Sequence, residues 1–469
     1  MSEPALKTRF APSPTGFVHL GNARTALFSA LRARSAGGDF LLRIEDTDAE
    51  RSRLEFQHAL EEDLWWLGLE WQEGPVVSGP AGPYCQSERG TVYAELFERL
   101  AAAGHAYPCF CSDEELERSR TRQRAAGRAP RYSGKCRNLS AEEVQARLAE
   151  GLHPTLRFRV ERGRRIEFHD LVRGAQSFAS DDIGDFIIRR QDGSPAFFFS
   201  NAVDDALMGV TEVWRGEDHL TNTPRQLLIL QALDLPAPAY AHIALIVGAD
   251  GAPLSKRHGS RSIRELRIAG YLPVAIVNYL ARLGHSYEQE GLLSYDELAR
   301  GFDPVRLNRS PARYDAHQLL HWQHLAVAAA LADELWNWLG HGVAELVPED
   351  QSAAFIEAIR PNITFPEQAR HWAQVVFSDP LNLDDESREA VAEAGGAFFG
   401  EALAALEAHG VDYAAFTAEL KARTGAKGKG LFQPLRAALT GALGGPELAK
   451  LLPLLGTERV RRRLQACLS

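Results

Sequence analysis

At 469 residues, with 45% apolar and 24% charged side chains, the chain has the proportions of a globular protein and is too long for one ordinary core, so about three to four domains or subdomains are expected. Fibrous, collagen-like and wholly disordered classes are excluded. The net charge of −10 argues against a nucleic-acid partner as a sum, but the charge is segregated. Residues 421–469 hold ten Lys/Arg against two Asp/Glu, and residues 384–419 one Arg against nine acids. With a second basic run over 118–137, this is the pattern either of faces that track RNA or of solvated helix surfaces. The N-terminus has no apolar signal core, and the longest apolar stretches, 241–247 and 325–332, fall far short of a membrane span. A cytoplasmic location with no membrane partner is expected. Five cysteines, three of them clustered as Cys109, Cys111 and Cys136, point to a reducing compartment and not to a disulfide framework.

In chain order, a short strand ends at Phe10 in the turn Ala11-Pro12-Ser13-Pro14-Thr15-Gly16, and His19 to Ser35 has helical apolar spacing through Leu20, Ala23, Leu27, Ala30 and Leu31. Phe40 to Ile44 reads as a strand that ends in Glu45-Asp46-Thr47-Asp48, and Glu55 to Leu69 as an amphipathic helix with Phe56, Leu60, Leu64 and Leu67 on one stripe. This order predicts a parallel, doubly wound sheet whose ligands bind beyond the carboxyl ends of its strands. The Arg-rich, weakly periodic stretch from about His105 to Ser194 reads as an insertion. Phe197 to Asn201 and Val210 to Arg215 then read as strands, and Pro224 to Leu233 as a helix. Beyond Trp322 the strand pattern disappears, and the remainder reads as all-helical.

Two segments carry the chemistry. In Pro12-Ser13-Pro14-Thr15-Gly16-Phe17-Val18-His19-Leu20-Gly21-Asn22, a strand end, a glycine turn and a helix start leave backbone N–H groups aimed at free space, which is an anion site. His19 and Asn22 add side-chain donors, and Gly21 lets a ligand approach the backbone. The plain alternative is an ordinary glycine turn at a helix entry. Gly251-Ala252-Pro253-Leu254-Ser255-Lys256-Arg257-His258-Gly259 is a Gly-bounded loop whose Lys256 suits a polyphosphate and whose Arg257 fork suits a carboxylate or a phosphate. Taken alone it is a solvated turn.

Together they resemble the two signatures of class I aminoacyl-tRNA synthetases, His19-Leu20-Gly21-Asn22 and Leu254-Ser255-Lys256-Arg257. Arg9-Phe10-Ala11-Pro12-Ser13-Pro14-Thr15-Gly16, Arg43-Ile44-Glu45-Asp46-Thr47-Asp48, Asn201-Ala202-Val203-Asp204-Asp205, Arg215-Gly216-Glu217-Asp218-His219 and Asn222-Thr223-Pro224-Arg225-Gln226 are similar, in order, to the bacterial glutamyl-tRNA synthetases. The resemblance covers essentially the whole chain, strongly to about Leu283. It implies ATP-dependent activation of glutamate with Mg2+ and transfer to the 3′ end of tRNA-Glu. By the same resemblance His19, Gly21, Asn22, Ser255, Lys256 and Arg257 hold ATP, with His19, Asn22 and Lys256 catalytic. Arg9 and Arg215 would face the side-chain carboxylate of glutamate, Glu45 and Ser13 its ammonium, and Asn201 its α-carboxylate region. The plain alternative for Arg9, Glu45 and Arg215 is an internal salt-bridge set. Two positions depart from the family. Pro253 stands where the second signature opens with lysine, and Phe197 where a tyrosine hydroxyl is usual, a net loss of about 1 kcal/mol in substrate binding unless water replaces it.

Within the insertion, Cys109-Phe110-Cys111 and Tyr132-Ser133-Gly134-Lys135-Cys136 resemble a structural zinc site of some relatives. Asn138 stands where a histidine is the usual last ligand, and Tyr132 is the fourth ligand used by a shorter relative; the alternative is a decayed site with no metal. The implied fold is α/β, a class I Rossmann-type parallel sheet with an inserted acceptor-binding module, followed by an all-helical anticodon-binding region. The implied boundaries are 1–104 and 195–245 for the catalytic sheet, 105–194 for the insertion, 246–322 for a stem-contact segment with the second signature, and 323–469 for the helical region. Basic 421–436 and Arg459 to Arg463 are the residues offered for RNA. A monomer is expected. The other readings are an enzyme that also or only charges tRNA-Gln, and a non-catalytic synthetase-like RNA-binding protein.

Overall fold

The computed structural model describes residues 5–48, 50–254 and 261–468. The chain divides into two compact units, residues 1–266 with 276–316, and residues 267–275 with 317–469.

The first unit is built on a six-stranded sheet. In chain order its first half contains β1 (Lys7–Phe10), α1 (Leu20–Ser35), β2 (Asp39–Leu42), α2 (Leu54–Trp66) and α3 (Gly90–Ala102). The insertion supplies β3 (Ala106–Cys109), α4 (Asp113–Ala125), α5 (Ala141–Ala149), β4 (Thr155–Phe158), β5 (Arg165–Asp170), β6 (Gly174–Ala179), α6 (Ser180–Ile183) and β7 (Phe186–Arg189). After it come α7 (Phe197–Leu207), β8 (Glu212–Gly216), α8 (Thr223–Ala232) and β9 (Ala239–Ile243). The sheet order is β2-β1-β8-β9-β5-β6, parallel except for the final β5–β6 hairpin. The first strands are short apolar runs because both faces are covered: Phe10, Phe40, Leu41 and Leu42 are all buried. From β1 the chain leads to β2 on one side, while β8 pairs on the other, and such a reversal of strand order opens a crevice at the carboxyl ends. The helix α1 starts at that crevice with His19 as its N-cap.

Two expectations need correction or refinement. Phe197 to Asn201 is not a strand but the first part of α7, which is buried from Phe199 to Ala206. A short apolar run has no period to distinguish strand from helix, and the helical pitch shows only in the Asn201, Asp204 and Asp205 set that follows. The stretch from 105 to 194 is also not of one piece. Strands β3, β4 and β7 form a separate antiparallel sheet, whereas β5 pairs with β9 through Asp170 and Tyr240 and so extends the main sheet.

Among the described residues the second unit contains α-helices from Ala316–Ala329 to Leu448–Gln465 and no strand. Phe355, Phe399, Phe416, Leu435, Leu451 and Val460 belong to one buried core. Of its terminal arginines only Arg463 is buried, while Arg462 stays exposed. Arg459, Arg462 and Arg463 all pair with Asp379 at 3.3, 2.9 and 3.3 Å, and Arg461 pairs with Glu458. Lys421, Lys427 and Lys429 are exposed, together with Phe432. No helix among the described residues is long and apolar enough to cross a membrane.

Candidate active site

A cavity of about 370 Å³ opens at the carboxyl ends of β1 and β8. Arg9, Ser13, Glu45, Asn201 and Arg215 line it, and Gly21 and Asn22 enter from the first turn of α1. These residues come from five separate stretches of sequence, and the sheet order brings them together. His19 caps α1 and forms an isolated bridge with Ser262. The approach to the second signature is a tight hairpin in which Leu254 N–H reaches the Ile246 carbonyl at 3.0 Å and Pro253 bridges to Val247. Ser255, Lys256 and Arg257 themselves lie outside the described residues.

The charged side chains of the cavity are held in one buried network. Asp205 accepts from Arg9 (Nε, 3.2 Å) and pairs with Arg43 (Nη1, 2.7 Å). Arg43 also reaches Glu45 at 3.1 Å, and the Asn201 amide donates to the same Glu45 oxygen at 2.6 Å. Gln226 donates to Asn201 Oδ1 at 2.6 Å and accepts from Arg215 Nη2 at 2.7 Å. The plain salt-bridge alternative therefore describes Arg9, which is engaged by Asp205, and half of Glu45. Burial raises the Glu45 carboxyl above its ordinary value against the pull of Arg43 and Asn201, so an added cation would be favoured beside it.

Arg215 is different. It is 5% exposed, yet its hydrogen-bond partners, Gln226, Thr223 (Nη2, 2.7 Å) and His242 (Nε, 3.0 Å), are all neutral. Among the described residues no carboxylate lies within ion-pairing distance of it, and Nη1 is buried with no hydrogen bond. Burial, reinforced by the neighbouring Arg9 cation, pushes its pKa down to about 10. A guanidinium enclosed without a counter-ion is costly unless an anion arrives.

Phe197 lines the same cavity, 5.4 Å from the His219 ring. Burial and Arg215 push His219 down to about 4, so it faces the cavity as a neutral imidazole. Asp205, His219, Thr223 and Gln226 fell inside the quoted motifs without being given a role, and Asp170 and His242 fell in none. The i, i+4 spacing of Asn201 and Asp205 carried a signal for one of them, since it puts both on one face of a helix. Nothing local pointed to Asp170 and His242.

A second cluster sits in the insertion. The sulfurs of Cys109, Cys111 and Cys136 lie within 4.8 Å of one another, and Cys111 and Cys136 are 3.7 Å apart. Tyr132 Oη is 3.3 Å from Cys109 Sγ and 3.6 Å from Cys111 Sγ. Tetrahedral zinc with bonds of about 2.3 Å to sulfur needs sulfurs about 3.8 Å apart, a spacing that Cys111 and Cys136 meet, so the three thiols, with Tyr132 Oη beside them, are the groups that could hold such an ion. Asn138 is exposed.

Comparison with known proteins agrees with this architecture. Residues 5–321 match the family described as tRNA synthetases class I (E and Q), catalytic domain, and residues 330–468 match the anticodon binding domain family. The fold and site thus define a class I tRNA synthetase of the glutamate and glutamine branch. A glutamate–tRNA ligase 2 from Nitrosococcus oceani is 64% identical over 467 residues, covering 100% of this chain and 99% of the relative. A glutamate–tRNA ligase 1 from Methylococcus capsulatus is 59% identical, covering 98% of each. The crystal structure of a glutamate tRNA ligase from Elizabethkingia meningosepticum, in complex with its amino acid, superposes with a TM-score of 0.92 at 29% identity, covering 99% of both chains. The chain belongs to the glutamate–tRNA ligase family.

Proposed function

We propose that this protein activates glutamate with ATP and transfers it to the 3′ end of tRNA-Glu. The observation that carries the amino-acid specificity is Arg215, a buried cation whose Nη1 has no partner. The side-chain carboxylate of glutamate supplies the missing counter-ion, and a neutral glutamine amide does not. Glu45 and Ser13 face the ammonium, which offsets the poorly compensated Glu45 charge, and Asn201 faces the α-carboxylate region. Arg9, already neutralised by Asp205, adds a second donor wall behind the substrate.

In the first step an α-carboxylate oxygen attacks the α-phosphorus of ATP in line, the bond to the bridging oxygen breaks, and pyrophosphate leaves. In the second, a hydroxyl of the terminal ribose attacks the acyl carbon, AMP departs, and one proton is released. No enzyme nucleophile is needed, so catalysis rests on positioning and on charge neutralisation. His19, Asn22 and the backbone around Gly21, at the N-terminus of α1, hold the phosphates near the reacting phosphorus. Ser255, Lys256 and Arg257 are assigned to the departing pyrophosphate. ATP enters as its Mg2+ complex, in which the ion neutralises phosphate oxygens.

For the RNA, a cleft of about 1010 Å³ adjoins the amino-acid cavity and shares Phe197 with it. Arg120, Arg190 and Arg225 line this cleft beside Phe198, and Arg225 lies over the Phe198 ring at 5.2 Å. Cations beside aromatic faces suit a single-stranded 3′ end. In the helical unit Lys421, Lys427, Lys429, Phe432 and Arg462 are exposed and are the groups offered to the anticodon. Zinc held by Cys109, Cys111, Cys136 and Tyr132 would serve structurally by cross-linking the insertion. The working form is taken to be a monomer.

The test is charging with radiolabelled glutamate and ATP on purified tRNA-Glu and tRNA-Gln side by side, with a pyrophosphate-exchange control lacking tRNA. Charging of tRNA-Glu alone is expected. Charging of tRNA-Gln would assign the protein to an indirect route to glutaminyl-tRNA, and charging of neither would favour a non-catalytic RNA-binding role.

A further inference from the structure

Arg215 has three nitrogens, and the structure commits two of them away from the cavity. Nε donates to His242 Nε2 at 3.0 Å, and Nη2 donates to Thr223 and Gln226. An arginine Nε is always a donor, so His242 Nε2 must offer a lone pair. The Thr223 hydroxyl, 3.2 Å from the same nitrogen, donates to it as well. The single proton of the neutral imidazole is then on Nδ1, which faces Asp170 Oδ2 at 2.5 Å. The other Asp170 oxygen accepts backbone N–H groups from Val172, Arg173 and His242. Neither Asp170 nor His242 reaches the cavity, and both are fully buried.

We propose that Asp170 and His242 are positioning residues for amino-acid recognition: Asp170 holds His242 in its Nδ1–H tautomer, and the bare Nε2 fixes the Arg215 guanidinium so that Nη1 is left for the substrate carboxylate. The inference rests on the reading that Arg215 takes that carboxylate. The physical need for such a device lies in the neighbouring acids. Asp205 and Glu45 both attract the Arg215 charge, and a guanidinium free to turn would settle on one of them and cancel the affinity of the site for an anion. An Nε2–H tautomer would set two donors against each other at 3.0 Å and drive this collapse. Burial, aided by the Arg215 and Arg173 cations, keeps His242 below its ordinary pKa in spite of Asp170. The histidine is therefore neutral, and its tautomer decides the geometry. Because Asp170 ends β5, the inserted segment supplies a determinant of amino-acid recognition.

The decisive variant is Asp170→Asn, which keeps Oδ1 for the three backbone N–H groups and places an amide donor against His242 Nδ1. The glutamate KM should rise by roughly tenfold or more, the size of a lost hydrogen bond to a charged group, while the ATP KM stays within about twofold. Nitrogen-15 NMR of the imidazoles, with His242 identified by the signal lost in His242→Gln, should show the proton on Nδ1 in the parent and on Nε2 in Asp170→Asn. Adding His242→Gln to Asp170→Asn restores an acceptor toward Arg215 and should bring the glutamate KM back toward the parent value. If Asp170→Asn does not fold, the comparison passes to His242→Gln, which keeps the acceptor, and His242→Asn, which keeps the donor; the Gln variant should hold the lower glutamate KM. A parent His242 protonated on Nε2, an unchanged glutamate KM in Asp170→Asn, or the reverse order of the two His242 variants would overturn the inference. Arg215→Gln separates the two levels. If it leaves the glutamate KM intact, the reading of Arg215 itself fails; if it raises that KM while Asp170→Asn does not, the positioning role alone fails.

Discussion

Replacing Arg215 by Gln separates recognition from stability in a way that few buried charges allow. In the unliganded protein the guanidinium is 5% exposed with neutral partners only, and its pKa falls from 12.5 to about 10. At about 1.4 kcal/mol per unit, keeping the charge there costs roughly 3 kcal/mol. Removing it relieves that cost but leaves Thr223 Oγ1 and Gln226 Oε1 short of a donor, at about 1–3 kcal/mol each, of which the new amide recovers one. The two sides nearly cancel, so the melting temperature should move by only a few degrees. Once glutamate is bound, the same cation is half of a desolvated pair, and truncating it costs about 2–5 kcal/mol, or roughly 30-fold to several thousand-fold in kcat/KM for glutamate. Steady-state charging at varied glutamate measures the second quantity, and thermal melting with and without glutamate the first. Glutamate should raise the melting temperature of the parent and not of the variant. A glutamate KM within about threefold of the parent, combined with a collapse in stability, would refute the argument and make Arg215 a structural residue.

Arg9→Gln should behave differently, since it strips Asp205 of one of its two cations. Loss of both stability and glutamate affinity is expected, and a variant as stable as the parent would contradict the Arg9–Asp205 pairing. Elemental analysis should find about one zinc per chain in the native protein and none in Cys109→Ser, with weakened tRNA charging in the variant; a metal-free native protein would end the zinc assignment. Asp379→Ala leaves Arg463, itself 5% exposed, without its carboxylate but with its bonds to the Leu439, Val375 and Ser378 carbonyls; because Asp379 is exposed the cost should be about 1–3 kcal/mol, read as a drop in melting temperature, with glutamate and ATP KM values unchanged. His285, 5% exposed, accepts the Asp303 N–H on Nε2 and is pushed down to about 4 by burial. The unfolded chain therefore binds more protons than the native one between pH 6.5 and 4. Stability is full above the unfolded pKa and is lost as pH falls, by roughly 2 kcal/mol at pH 5. His285→Gln, which keeps an acceptor and does not titrate, should remove that part of the slope in denaturant titrations at pH 7.5 and 5.

What the sequence determined by itself is local. The strand, turn and helix around Pro12 to Asn22, the acidic end of the second strand, the helical character beyond Trp322 and the spacing of Cys109, Cys111 and Cys136 are all set by dihedral preferences and periodicities within a few residues. The residues lining the amino-acid cavity were assigned through the resemblance of their motifs to the glutamyl-tRNA synthetases, and the structure gathers those motifs because each occupies one strand end or helix turn. The run from Phe197 to Asn201 was misread because three successive phenylalanines fit either element, and the buried α7 they begin has no solvent face to give a period.

Only the tertiary structure decided which charges are spent and which are free. Arg9 and Arg215 are equivalent as residue types, but one meets Asp205 from α7 and the other meets no acid, because β8 lies between β1 and β9. It was also the fold that gave the β5–β6 hairpin to the main sheet, placed Tyr132 on the sulfur cluster while Asn138 stays exposed, and gathered three C-terminal arginines onto Asp379. Asp170 and His242 stand 72 positions apart and become partners because β5 and β9 are adjacent strands. Backbone conformation is largely a property of neighbouring residues, whereas the value of a buried charge depends on every group within a few ångströms, and those groups are chosen by strand order.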